Sequence, residues 1–139
     1  MSKVAVVYWS GTGNTEAMAE LVAEGARDAG ADVEVIACAD FSSGDLDDYD
    51  AFAFGCPAMG SEELESDEFE PMWDDVEPAL PGRKVVLFGS YDWADGEWMD
   101  LWRERAEDAG VTVSDTVIAK DYPDEDASAA CRALGASLV

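Results

Sequence analysis

The segment Ser10-Gly11-Thr12-Gly13-Asn14-Thr15 sets three hydroxyls and two glycines between an apolar run and an amphipathic pattern. Hydroxyls at Ser10, Thr12 and Thr15 can donate to phosphate oxygens. The glycines let backbone N–H groups approach closely, and a following helix adds the partial positive charge of its N-terminus. The loop holds no lysine or arginine and lacks the Gly-Lys-Ser/Thr ending of a Walker loop. A neutral cradle of this kind suits one terminal monophosphate better than a triphosphate with magnesium. An ordinary turn and helix cap would use the same residues, so the reading needs support elsewhere in the chain.

Two further segments supply it. Gly55-Cys56-Pro57-Ala58-Met59-Gly60-Ser61-Glu62-Glu63 is a stretch of small residues able to wrap a flat ring. The polarizable thioether of Met59 can pack on an aromatic face, although a methionine in isolation reads as core. Gly60 permits backbone conformations closed to other residues, and Glu62 can accept from a ring N–H. Gly89-Ser90-Tyr91-Asp92-Trp93-Ala94-Asp95-Gly96-Glu97-Trp98 puts a tyrosine and two tryptophans among charged residues. Trp93, ahead of the helix, is the one placed to stack on a planar ligand. Trp98 shares helical spacing with Leu101 and Trp102 and reads as core.

These segments need a scaffold, and the apolar pattern describes one. Val4 to Tyr8 is a continuous apolar run, as in a strand buried on both faces. Met18, Leu21, Val22, Gly25, Ala26 and Ala29 follow at helical spacing, and Gly30 is placed to end that helix in a left-handed cap. Val33 to Ala37 reads as an edge strand, and Ser42 to Asp48 as a loop with one helical turn. Ala51 to Phe54, Val85 to Gly89 and Val111 to Ile118 read as the remaining strands. Phe69, Met72, Trp73, Val76 and Leu80 mark a helix with Pro71 in its first turn. Trp98, Leu101, Trp102 and Ala109 mark another, closed by Gly110. Ala127, Ala130, Cys131, Leu134 and Leu138 mark the last. Strands alternating with helices imply an α/β doubly wound three-layer sandwich around a five-stranded parallel sheet. The expected order is 2-1-3-4-5, in which a ligand binds outside the carboxyl ends of strands 1 and 3. The three segments above follow strands 1, 3 and 4 and converge there. Residues 1-139 are expected to form a single domain, with no repeat and no linker.

Hydrophobic residues make up 48% of the 139, enough for a real core, and no stretch approaches the roughly 18 apolar residues of a membrane span. The short apolar part of the N-terminus does not suit a signal peptide, so the cytoplasm is expected. Asp and Glu number 32 against 8 Lys and Arg, a formal net charge of -24. Phosphate contacts need cations, so nucleic acid is excluded as a partner. The charge favours steering toward a basic protein. The Asp-rich, lysine-poor surface has the composition of a halophile protein, one expected to fold best in molar salt. Cys38, Cys56 and Cys131 have neither a disulfide nor a metal spacing. There is no histidine, which excludes histidine triads and histidine metal sites. No catalytic residue and no metal site are expected.

The three loops together carry a resemblance. The chain resembles the short-chain flavodoxins from end to end, and is especially similar to the clostridial type. That type carries a Trp-Ser-Gly-Thr-Gly-Asn-Thr loop, a Gly-Cys-Pro-Ala-Met-Gly loop and a Gly-Ser-Tyr-Gly-Trp loop. Trp9 to Thr15 and Gly55 to Gly60 match without a gap, and Gly89 to Trp93 matches except at Asp92, where the pattern has glycine. The resemblance implies one non-covalently bound FMN. Its binding residues would be Trp9, Ser10, Gly11, Thr12, Gly13, Asn14 and Thr15 at the phosphate, then Ala58, Met59, Gly60, Ser61 and Glu62, then Ser90, Tyr91, Asp92 and Trp93. Met59 would cover one face of the isoalloxazine and Trp93 the other, and Glu62 would accept from the flavin N3–H. The Gly60–Ser61 peptide would flip on one-electron reduction and turn the Gly60 carbonyl to N5, stabilising the neutral semiquinone. An anionic hydroquinone between apolar side chains in an acidic protein is disfavoured. The implied function is a low-potential one-electron carrier cycling between semiquinone and hydroquinone, with Asp92 pushing the second potential lower still.

Two rivals share the fold. An FMN-dependent NAD(P)H or quinone reductase would need longer loops and a second-substrate pocket, and the loops here are short. A receiver-type signalling module would need an acidic pair after strand 1 and an aspartate after strand 3; Trp9-Ser10 and Gly55-Cys56 stand there instead. The expected partners are redox proteins, reductases and electron acceptors, approached by a monomer without nucleic acid or membrane.

Overall fold

In the computed structural model, which describes residues 2–9, 11, 13–58, 64–91 and 96–139, the first apolar run forms strand β1 (Lys3–Tyr8). The chain continues as α1 (Asn14–Asp28), β2 (Asp32–Ala37), β3 (Ala51–Gly55), α2 (Phe69–Val76), β4 (Lys84–Tyr91), α3 (Glu97–Asp108), β5 (Val113–Lys120) and α4 (Glu125–Ala136). Short 3-10 turns cover Cys38–Asp40, Ser43–Asp48 and Glu77–Ala79. The strands pair in parallel in the order β2-β1-β3-β4-β5. This is the doubly wound arrangement that the alternating pattern requires.

Period-two alternation along the central strands divides the core in two. Ala5, Val7, Phe52, Phe54, Val85 and Leu87 face α2 and α3. Val4, Val6, Ala51, Ala53, Val86 and Phe88 face α1 and α4. The first side is aromatic: Trp73 meets Phe54 edge-on at 5.3 Å and Trp102 at 5.4 Å, and Trp102 meets Phe69 at 5.3 Å. Such edge-to-face pairs add about 0.5–1.5 kcal/mol beyond burial. The second side is built from small residues, and there α1 and α4 come into backbone contact. A Cβ on Gly25 would lie 2.6 Å from the Arg132 carbonyl carbon, and one on Gly135 would lie 2.8 Å from that of Val22.

Several boundaries differ from those the sequence suggests. The buried stripe of α1 is Thr15, Met18, Ala19, Val22, Ala23, Gly25 and Ala26, while Leu21 is half-buried and Ala29 exposed. The helix ends as expected at Gly30, φ 102°, with Ala31 N–H returning to the Ala26 carbonyl at 3.0 Å. In α3 the stripe is Trp98, Met99, Trp102 and Ala106; Leu101 lies off it, 48% exposed, and Ala109 is exposed beyond the helix end. The last strand runs Val113–Lys120, two residues later than expected, because Val111 packs in the core ahead of the ladder. A register shift opposite Val85/Val86 then resets the pairing. Strand β4 continues past the expected Val85 to Gly89 through Ser90 and Tyr91, because Ser90 pairs with Ala119 and Tyr91 with Lys120.

Register sets the three functional segments side by side. Tyr8 stands opposite Gly55, and Gly55 opposite Phe88. The connections after β1, β3 and β4 therefore leave the sheet at one edge of the crevice where the chain order reverses.

Candidate functional site

Hydrogen bonds knit the three strand ends into one unit. Trp9 N–H donates to the Gly55 carbonyl at 3.0 Å, Cys56 N–H to Phe88 at 3.2 Å, and Ala58 N–H to Ser90 at 2.9 Å. The Trp98 indole N–H donates to the Cys56 carbonyl at 3.2 Å, so this buried tryptophan serves the core and holds the second segment in place. The Thr15 and Ser90 hydroxyls lie 3.0 Å apart and are 1% and 5% exposed, which joins the first segment to the third. Loops fixed to strand ends in this way hold a ligand with little reorganisation.

The phosphate cradle forms at the start of α1. Gly13 is the cap, with φ 95°, a conformation in which a side chain is strained, and it brings no side-chain oxygen to the helix amides. The first helical bond is Ala17 N–H to the Gly13 carbonyl at 3.0 Å, so the amides of Asn14, Thr15 and Glu16 precede the ladder. The two sides of this turn differ. Thr15 faces the strand ends with a neutral hydroxyl. Glu16 accepts from the Tyr8 hydroxyl at 3.0 Å, and with Glu20 and Tyr122 lines a cleft of about 440 Å³. Helix amides, a buried hydroxyl and the absence of any cation in the loop sequence are a donor set that fits the monophosphate of FMN.

Of the residues expected to bind, Trp9, Asn14 and Ala58 are half-buried, Gly11 is exposed, and Tyr91 is half-buried with its ring 5.8 Å from that of Trp98. Trp9 is held by its indole N–H, which donates to Glu68 at 3.2 Å and so ties the first segment to the start of α2. Ser10, Thr12, Met59, Gly60, Ser61, Glu62, Asp92 and Trp93 lie outside the described residues.

Sequence reasoning missed one residue that matters here. Glu65 is 5% exposed, and its carboxylate accepts N–H bonds from Asp67 at 2.9 Å, Glu68 at 2.7 Å and Phe69 at 2.9 Å. Its own N–H donates to the Cys56 sulfur at 3.4 Å, which brings the two ends of the second segment together. Burial pushes this carboxyl up, but the amides of Phe69, Glu68 and Asp67 outweigh burial and hold it below the ordinary range. The available signal was an acidic residue four positions ahead of a helix, but Ser, Thr, Asp and Asn are the residues that a capping pattern looks for.

The three cysteines are buried and free. Burial pushes the Cys38 thiol up to about 12, with Glu68 and Glu65 adding to the rise, and Cys131 up to about 11. Burial raises Cys56 as well. Thiols held neutral in this way are not nucleophiles.

The flavodoxin family model matches residues 6–135. The chain is 51% identical over 132 residues to the flavodoxin of Megasphaera elsdenii, covering 95% of each chain. It is 47% identical over 121 residues to that of Clostridium beijerinckii, covering 86% of this chain and 88% of the relative. The solution structure of two-electron reduced M. elsdenii flavodoxin superimposes with a TM-score of 0.90 at 50% identity, over 97% of both chains.

Proposed function

This chain belongs to the flavodoxin family and is an FMN-binding electron carrier, and on that premise we propose that it works at low potential, passing one electron at a time between redox enzymes. FMN supplies the redox chemistry when bound, and the protein sets where it sits and what surrounds it. The observation that carries the reading is the knot at the strand ends: Thr15 to Ser90, Ser90 to Ala58, and Trp9 to Gly55, beside the N-terminus of α1. The amides of α1 and the hydroxyls of Ser10, Thr12 and Thr15 would hold the phosphate. Met59 and Trp93 would cover the two faces of the ring, and Glu62 would accept from N3–H. The Gly60 carbonyl would be the acceptor offered to the ring at N5. Asp92 and the acidic surface disfavour added negative charge at the ring, which lowers the second potential. The reductase alternative is not favoured, because the family model and the relatives named above are flavodoxins.

The test is the visible spectrum during stepwise dithionite reduction. A long-wavelength band that grows to half-reduction and then fades is the expected result. Bleaching without that band points to two-electron chemistry and overturns the one-electron reading.

The surface supports a further part of the proposal, a monomer working in a salt-rich cytoplasm with basic redox proteins as partners. Lys3, Arg83, Arg103, Arg105 and Arg132 pair with carboxylates, and with 32 acids to 8 cations most carboxylates have no cation to meet. Self-repulsion of this kind is screened when the Debye length falls to about 3 Å near 1 M salt. The urea midpoint is therefore expected to rise steadily from dilute buffer to molar KCl. Equal midpoints at both ends of the series would remove the salt adaptation from the proposal. In molar salt, steering shortens to the same few ångströms, so partner recognition rests on contact at close range.

A further inference from the structure

Ser90 touches all three segments of the site. Its hydroxyl lies 3.0 Å from that of Thr15, and its carbonyl accepts from Ala58 N–H at 2.9 Å. It is itself a ladder residue of β4, paired with Ala119, and the next residue, Tyr91, accepts from Asp121 N–H at 2.7 Å. The backbone just before it is equally confined. A Cβ on Gly89 would stand 2.9 Å from the Trp98 ring and inside the radius of the Cys56 carbonyl oxygen. Ser90 is thus a fixed post, whereas Thr15 stands in the first turn of a helix.

Each hydroxyl carries one proton. When Ser90 donates to Thr15, the Thr15 proton is left to donate outward; in the reverse order Thr15 has nothing left to give. A phosphate at the α1 N-terminus that accepts from Thr15 selects the first order, and serial donation strengthens both bonds.

Resting on the FMN-carrier reading, we propose that Ser90 is a positioning residue for phosphate recognition: it aligns the Thr15 hydroxyl toward the FMN phosphate and links that contact to the segment at Ala58. The ring itself does not need this bond, so its contribution appears for FMN and not for riboflavin, which lacks the phosphate.

The experiment titrates the apoprotein with FMN and with riboflavin, following quenching of flavin fluorescence, for the natural chain, Ser90→Ala, Thr15→Val and the double variant. Ser90→Ala is expected to weaken FMN about tenfold, the size of losing a hydrogen bond that serves a charged acceptor. Riboflavin binding is expected to change by less than about twofold. In the Thr15→Val background, Ser90→Ala is expected to cost nothing more. The 31P resonance of bound FMN should move in Ser90→Ala. Ser90→Cys keeps a γ atom but donates far more weakly, and is read in the same way if the alanine variant does not fold. Equal losses for the two flavins, or additive losses in the double variant, overturn the proposal. The titration of the natural chain stands apart from both: failure to bind FMN there removes the carrier reading itself.

Discussion

Gly25→Ala is expected to destabilise the protein by about 2 kcal/mol, although helix propensity alone predicts the opposite sign. Alanine is favoured over glycine in a helix interior by about 0.5–1 kcal/mol. Position 25 lies in the middle of α1, fully within its buried stripe. The new methyl would sit 2.6 Å from the Arg132 carbonyl carbon and closer still to its oxygen. These are backbone atoms of α4, which cannot swing aside as a side chain can. Relief requires the two helices to separate, and Gly135 meets Val22 in the same way from the other side. Overpacking of this kind costs about 1–3 kcal/mol and occasionally more. Even the middle of that range exceeds the propensity gain and is a large share of the usual 5–15 kcal/mol. The measurement is the urea midpoint in molar salt; urea is uncharged and leaves the screening constant. Gly44→Ala is the control, since only the Ser42 hydroxyl lies near it, at 3.8 Å, and it should move the midpoint little. A Gly25→Ala midpoint equal to or above that of the natural chain would mean that the helices do not touch there.

The same glycine shows what sequence reading reaches. Its place on the apolar face follows from spacing, but its closeness to Arg132, over a hundred residues away, has no local signature. The central strands were legible from pattern within a few residues, and the sheet order from the alternation of strands with helices. The strand boundary at Ser90 and Tyr91 was not, because polar residues there resemble a loop and only pairing with β5 extends the ladder. Leu101 has the spacing of a core residue and is half exposed, because the three tryptophans Trp73, Trp98 and Trp102 already fill the layer beneath α3. Trp98 and Thr15 each do something that residue type alone did not reveal. The first donates to the Cys56 carbonyl and the second pairs with Ser90, and both bonds depend on register.

Glu65→Ala is expected to cost about 3 kcal/mol, which places it among the larger single-residue effects. The substitution leaves three amides without their acceptor, at the buried start of α2. A typical cap deletion costs about 1 kcal/mol, and each buried amide left unsatisfied costs about 1–3 kcal/mol. Partial access of water to Asp67 and Glu68, both exposed, keeps the total below the sum. Glu65→Gln should lose about half as much. Oε1 accepts from Glu68 and Phe69 and can be retained as the amide oxygen, whereas Oε2 accepts from Asp67 and would become a donor facing a donor. The pH dependence follows from the same bonds. The folded carboxyl titrates below its ordinary value, because the amides of Phe69, Glu68 and Asp67 outweigh burial. Its stabilisation is therefore complete above the unfolded-state value of about 4.3 and is lost as pH falls through the lower folded value. The stability gap between the natural chain and Glu65→Gln should be constant from neutral pH to about pH 5 and should narrow below about pH 4. Comparing the two proteins at each pH cancels the general relief of acidic self-repulsion, which both share. A gap that stays constant through that range would show that the carboxylate is not what holds the start of α2.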